Sequence, residues 1–191
     1  MRRAARIAAT AAVPSAVGLL TSTSQGTARD DWTFELTGAT GERLIRVNVP
    51  GWYLKSITIE GADLTDRPID FGANAVIEGI EVRLTQQQSS VSGTVKGRDG
   101  KVLKDYVVVV FAEDADRWGP QTRFVRSGRP DQDGRYEVRG LPAERYLAAA
   151  IEYLEAGEEA NPDTLEQLRT GAARFSLGEI ESKVLDLELD D

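Results

Sequence analysis

Period-two alternation of apolar and polar residues dominates the chain beyond Asp30. Trp32, Phe34 and Leu36 alternate with Thr33 and Glu35; Ile45, Val47 and Val49 alternate with Arg46 and Asn48; Ile80, Val82 and Leu84 alternate with Glu81 and Arg83. One apolar and one polar side is the signature of half-buried antiparallel strands. Val91, Gly93 and Val95 continue the series, and Tyr106 to Phe111 is an unbroken apolar run rich in valine. That run predicts a central strand covered on both faces. Tyr136 with Val138, Leu147 to Tyr153, and Leu185 with Leu187 and Leu189 add further strands, while Trp52 and Tyr53, after Pro50-Gly51, read as a turn feeding a core strand. Short strands at intervals of about ten residues, punctuated by Gly, Pro and Asp, predict an all-β antiparallel sandwich.

One helix interrupts the pattern. Asn161 suits the N-cap, Pro162 the first helical position and Asp163 the positive helix end, and Leu165, Leu168 and Ala172 form a short apolar stripe. This helix is expected to pack over one sheet edge. The polar stretch Gln86-Gln87-Gln88-Ser89-Ser90 is the best boundary in the chain. An internal echo supports it: Phe34-Glu35-Leu36-Thr37-Gly38 and Glu42-Arg43-Leu44-Ile45 match Tyr136-Glu137-Val138-Arg139-Gly140 and Glu144-Arg145-Tyr146-Leu147 at a constant offset of 102. Residues 31–88 then form an incomplete β-module preceding a whole one at 89–189. An incomplete sandwich leaves an apolar face and a strand edge open. Either the chain is the tail of a longer protein, or a partner supplies the missing strands; in both cases Trp52 and Tyr53 are candidates for the uncovered surface.

Residues 89–189 carry an ordered set of turn motifs: Ser92-Gly93-Thr94-Val95, Asp99-Gly100-Lys101-Val102, Asp131-Gln132-Asp133-Gly134-Arg135-Tyr136, and Gly140-Leu141-Pro142-Ala143-Glu144-Arg145-Tyr146. Asp-Gly and Asp-x-Asp-Gly supply the positive-φ positions that tight hairpins require. In order and spacing the set resembles the carboxypeptidase regulatory-like domain. Two departures are the absence of a Gly just before Tyr146 and of a Pro after Val102. The resemblance implies a prealbumin/transthyretin-like, carbohydrate-binding-like β-sandwich: an accessory domain of secreted or periplasmic proteins, without catalytic residues. It transfers no ligand position, because the shared motifs are turns.

Composition narrows the chemistry. The chain has no His and no Cys, which removes imidazole bases, thiol nucleophiles, disulfides and most transition-metal sites. With 23 basic and 31 acidic residues the net charge is −8, which disfavours nucleic acid and anionic membranes as partners. The start, Met1-Arg2-Arg3-Ala4-Ala5-Arg6, followed by the apolar run Ile7 to Leu20 and by Gly26-Thr27-Ala28, reads as a signal peptide over residues 1–28. It is too short and interrupted to span a membrane, so the expectation is an exported, periplasmic or extracellular protein without membrane insertion.

Four sets of residues bear on function. Trp118, with Arg117 and Arg123, lies in a loop-like stretch, where a Trp beside Arg would grip a sugar ring or a partner side chain; the alternative is a Trp folded back as a lid on the sandwich end. Arg117, Arg123, Arg126 and Arg129 follow one another with no acid between Arg117 and Pro130, either a solvated surface or an anion site. Asp131 and Asp133 begin like a calcium loop, but calcium needs about six to eight oxygens and no downstream Glu stands at loop spacing, so the turn reading is stronger. Glu155, Glu158, Glu159 and Asp163 read as solvation and helix-dipole complement, because a glycosidase needs two carboxylates about 5–9 Å apart across a cleft. No nucleophile–base pair and no cofactor motif appears. The expectation is a non-enzymatic accessory module with no cofactor, contacting another protein or the rest of a longer chain, or else a carbohydrate-binding module.

Overall fold

Alternation gives each strand one apolar side, and the computed structural model, which describes residues 6–11, 24–72, 76–119 and 121–189, stacks those sides in two separate units. The first ends at Gln87 and the second begins at Gln88. Among the described residues the architecture is all-β with one short α-helix.

The first unit contains β1 (Arg6–Ala11), β2 (Ser24–Thr27), β3 (Gly41–Asn48), β4 (Tyr53–Ile59), β5 (Ala62–Asp63), β6 (Ile69–Phe71) and β7 (Ile80–Thr85). They form antiparallel sheets of order β2-β1-β3-β6 and β5-β4-β7. Ile7, Ile45, Ile57, Ile69 and Phe71 are buried in its core. Residues 31–88 alone supply only β3 to β7. The two strands beyond them come from the stretch expected to be a leader: β1 pairs along β3, with Ile7 opposite Val47.

Trp32 to Leu36 alternates like a strand yet pairs with nothing as one. The reason lies at its start. The Asp31 carboxylate accepts the Thr33 backbone N–H at 3.0 Å and the Thr33 hydroxyl at 2.7 Å, the Arg29 N–H donates to the Thr33 carbonyl at 2.8 Å, and Trp32 sits at φ 65°. This side-chain-stabilised turn throws the Trp32 ring into solvent. Phe34 and Leu36 still reach the core, which is why the alternation persists without a ladder.

The second unit comprises β8 (Ser89–Lys96), β9 (Val107–Ala112), β10 (Val125–Gly128), β11 (Arg135–Leu141), β12 (Glu144–Ile151), α1 (Pro162–Arg169), β13 (Ala173–Leu177), β14 (Ser182–Val184) and β15 (Leu187–Glu188). The β10-β9-β12-β13 sheet and the β11-β8-β14 sheet share a core that includes Val91, Val95, Val108, Val110, Tyr136, Val138, Tyr146 and Phe175. The valine run behaves as its composition predicts. Val108 and Val110 face this core, while Val107, Val109 and Phe111 face a second cluster closed by Leu165 of α1.

Two features depart from the sequence expectation. First, α1 covers the outer face of a sheet, packing Leu165, Leu168 and the following Ala172 against β9, β10 and β12, and is not confined to an edge. Complete burial of Leu165 stabilises this contact by about 2 kcal/mol. Its start is ordered as expected: the Asn161 side chain accepts the Asp163 N–H at 3.0 Å. Second, β14 and β15 run parallel to β8, whereas every other strand pairing among the described residues is antiparallel.

Candidate functional site

The loop after β9 begins with a short 3-10 turn, Ala115–Arg117, whose first N–H groups are met by Asp114. Thr122 closes the loop, donating its hydroxyl to the Arg117 carbonyl at 2.6 Å and accepting the Phe124 N–H at 3.1 Å. Between them Trp118 turns back onto the sandwich. Its indole N–H donates to the Ala112 carbonyl at 2.8 Å, and its ring meets Phe111 edge-on, with centroids 5.6 Å apart. The Arg169 guanidinium stands 4.9 Å from the same ring. Arg169 Nε also lies 3.0 Å from the Glu166 carboxylate, at an angle that makes no hydrogen bond.

Sequence proximity groups Trp118 with Arg117 and Arg123, but the structure sorts them differently. Arg117 and Arg123 converge on Phe124, with guanidinium carbons 4.7 and 5.7 Å from its ring centre. Arg117 also lies 4.0 Å from the Glu144 carboxylate. The cation over Trp118 is Arg169, contributed by α1, which no local motif foreshadows. Such contacts are worth about 0.5–1 kcal/mol each where water reaches them. Arg126 is half-buried and donates to the carbonyls of Thr122 at 3.1 Å and Val125 at 2.9 Å. Burial, followed by the like charge of Arg123, lowers its pKa from the ordinary guanidinium value. Arg129 is exposed.

Asp131 and Asp133 lie in the turn that carries the chain from β10 in one sheet to β11 in the other, not in a hairpin of paired strands. One Asp131 carboxylate oxygen accepts the N–H groups of Asp133 and Arg135, each at 2.9 Å. The Arg135 backbone bond is the main reason that its carboxyl is held below the usual carboxylate range. The Asp133 side chain is exposed. Gly134, at φ 77°, lies so close to its neighbours that an added Cβ would stand 2.6 Å from the Leu103 carbonyl oxygen. Its own carbonyl accepts the Tyr106 hydroxyl at 2.9 Å. Among the described residues no three acidic side chains are grouped to hold a metal ion.

The motif Ser92-Gly93-Thr94-Val95 has a structural use of its own. Gly93 pairs with Tyr136 across β8 and β11, and a Cβ at Gly93 would stand 2.0 Å from the Leu185 carbonyl oxygen. The bare backbone lets the Tyr136 hydroxyl reach that oxygen at 2.6 Å. Burial raises the Tyr136 pKa above the ordinary phenol value. Between β14 and β15, Asp186 takes over from the ladder, its carboxylate accepting the Thr94 N–H at 2.8 Å and hydroxyl at 2.9 Å. Those two bonds hold the Asp186 carboxyl below its ordinary pKa.

No family model matches the chain, and no curated protein matches it either. Among solved structures, the chain is similar to the shaft pilin of Lactobacillus rhamnosus GG, at 12% identity over 100% of this chain and 86% of that one, with a TM-score of 0.36. It is also similar to a minor pilin of Streptococcus agalactiae, at 9% identity over 97% of this chain and 81% of that one, with a TM-score of 0.33. A dioxygenase domain, from a dioxygenase carbohydrate-binding protein fusion of Streptomyces sp. SirexAA-E, is 18% identical over 55% of this chain and 80% of its own, with a TM-score of 0.31. All three scores lie below 0.5, and these likenesses carry no conclusion about what the chain does.

Proposed function

We propose that the chain is a non-enzymatic accessory scaffold of an exported protein, acting by contact with another protein or with the remainder of a longer chain. Residues 89–189 are, in this reading, a carboxypeptidase regulatory-like domain, and residues 31–88 part of a second β-module to which β1 and β2 add two paired strands. The observation that carries the reading is the use to which the polar groups of the motifs are put. The Tyr106, Tyr136 and Tyr146 hydroxyls each donate to a backbone carbonyl, the Trp118 N–H does the same, and the Asp131 carboxylate is occupied by backbone N–H groups. These groups support turns and strands and are not aimed at a cleft. Among the described residues no helix is long and apolar enough to cross a membrane.

The carbohydrate-binding alternative needs a Trp118 ring face open to a sugar, and the Arg169 guanidinium 4.9 Å away occupies one. A glycan titration of the full chain, read by tryptophan fluorescence beside Trp118→Phe, separates the two readings. The scaffold reading expects no saturable change with neutral or acidic oligosaccharides. Saturable quenching that Trp118→Phe abolishes would replace it with the carbohydrate reading.

A further inference from the structure

The first unit contains a groove of about 700 Å³, within the range of roughly 300–1,000 Å³ usual for binding pockets. It opens onto the core: Phe71 is buried beneath it, and Phe34, Leu36 and Ile77 both line it and pack against that core. At its mouth Trp32 is 82% exposed and Val76 83% exposed. Large apolar side chains held in water beside a recess with an apolar floor and a polar rim mark a contact surface.

Two properties define the occupant. The groove lies between two stretches that are outside any sheet, 33–39 and 76–79. Among the described residues, the backbone groups of Phe34, Leu36, Thr37, Ile77 and Glu78 make no hydrogen bond. A small molecule would fill the recess and leave those donors and acceptors to water, whereas an extended chain offers both a backbone that pairs with them and alternate side chains that enter the recess. The second property is charge. The lining contains Glu35 and Glu78 and no basic residue. Glu35 is bonded to Arg29 at 2.9 Å, which leaves Glu78 as the lining carboxylate without an ion pair among the described residues.

We propose that this groove captures an extended peptide segment of a protein partner, apolar at alternate positions and carrying Lys or Arg between them. It pairs with the backbone of Phe34 to Thr37 on one side or of Ile77 and Glu78 on the other, and its apolar side chains meet Phe34, Leu36 and Ile77. The inference rests on the protein-contact reading above and names its partner class.

The test uses the full chain and a fluorescein-labelled Lys-Val-Lys-Val-Lys-Val-Lys peptide, with binding read by anisotropy at low salt. Saturable binding is expected, roughly tenfold weaker with either Glu78→Lys or the uncharged polar variant Val76→Asn. Both side chains are exposed, so far-ultraviolet circular dichroism of the variants should match the parent. The same peptide, N-methylated at every residue, keeps its charge and side chains but loses the backbone donors of both edges, and it is expected not to bind. Equal binding of the N-methylated peptide, unchanged affinity of both variants, or no saturable binding would each overturn the proposal. Those failures would leave the scaffold reading standing, since it falls on the glycan titration instead.

Discussion

At the scale of single residues, the motifs that look most like chemistry turn out to govern close approach. Gly93 is the sharpest case, because two strands and the link between β14 and β15 meet over it: β11 presents Tyr136, β8 has no side chain in the way, and Leu185 in the link brings a carbonyl to within reach of the phenol. Gly93→Ala places a carbon where the Leu185 oxygen stands and should destabilise the second unit by about 3 kcal/mol or more. Tyr136→Phe removes one buried hydrogen bond and should lose about 1–2 kcal/mol. Since the alanine pushes away the same carbonyl that the tyrosine needs, the double variant should be more stable than the sum of the two losses implies. Urea midpoints of the four proteins measure this, and strict additivity would refute the shared geometry. Asp131 and Asp186 add a pH dependence. Backbone N–H bonds lower both carboxyl pKa values in the folded state, so their stabilisation is complete above the unfolded carboxylate pKa of about 4 and is lost as pH falls through the lower folded value. Asp186→Asn keeps an acceptor for Thr94 but cannot titrate, so its urea midpoint should fall less steeply than the parent's below about pH 4. An unchanged slope would show that Asp186 is not part of the acid response.

At the scale of elements, legibility followed burial. The strands read correctly from the chain, β8, β9, β11 and β12 among them, are those whose apolar residues meet a core on a strict period of two or in a continuous run. β10 hides in the arginine stretch because Arg126 is half-buried while bonding to nearby carbonyls. β13 alternates Phe175 and Leu177 with Arg174 and Ser176, a pattern overshadowed by the helix signal just before it. Alternation also misled where it was strongest locally: Phe34 and Leu36 are half-buried, but the Asp31 turn, with Trp32 at positive φ, keeps the stretch out of a ladder. Direction of pairing is not encoded in periodicity at all, so the strand read at Leu185 to Leu189 gave no sign that β14 and β15 would pair parallel to β8. The same holds for the contact of Arg169 with Trp118, which depends on where α1 lands on the sheet. What the sequence did show of that helix was its start, because Asn161, Pro162 and Asp163 act locally.

At the scale of the whole molecule, the first 28 residues carry two competing demands. A basic start, an apolar run and small residues before Ala28 read as an export signal, whereas β1 and β2 from the same stretch pair within the first unit. β1 lies between β2 and β3, and its Ile7 is 4% exposed in the core beside Ile45. Deleting residues 1–28 therefore unpairs the β3 edge along its length and removes about 2 kcal/mol of side-chain burial from Ile7 alone. Small domains hold roughly 5–15 kcal/mol in total, so the loss of a whole strand should abolish cooperative folding of the first unit. The second unit has its own core and contains none of these residues. Amide hydrogen exchange on the truncated chain should show protection lost across β3 and β4 and kept across β9 and β12. Retained protection in β3 and β4 would show that residues 31–88 hold together without β1 and β2, and would remove the conflict with cleavage after Ala28. The mass of the chain recovered from a bacterial periplasm supplies the complementary reading: a cut after Ala28 together with lost protection in the first unit would mean that export leaves β3 an open edge, the condition under which a partner strand is needed.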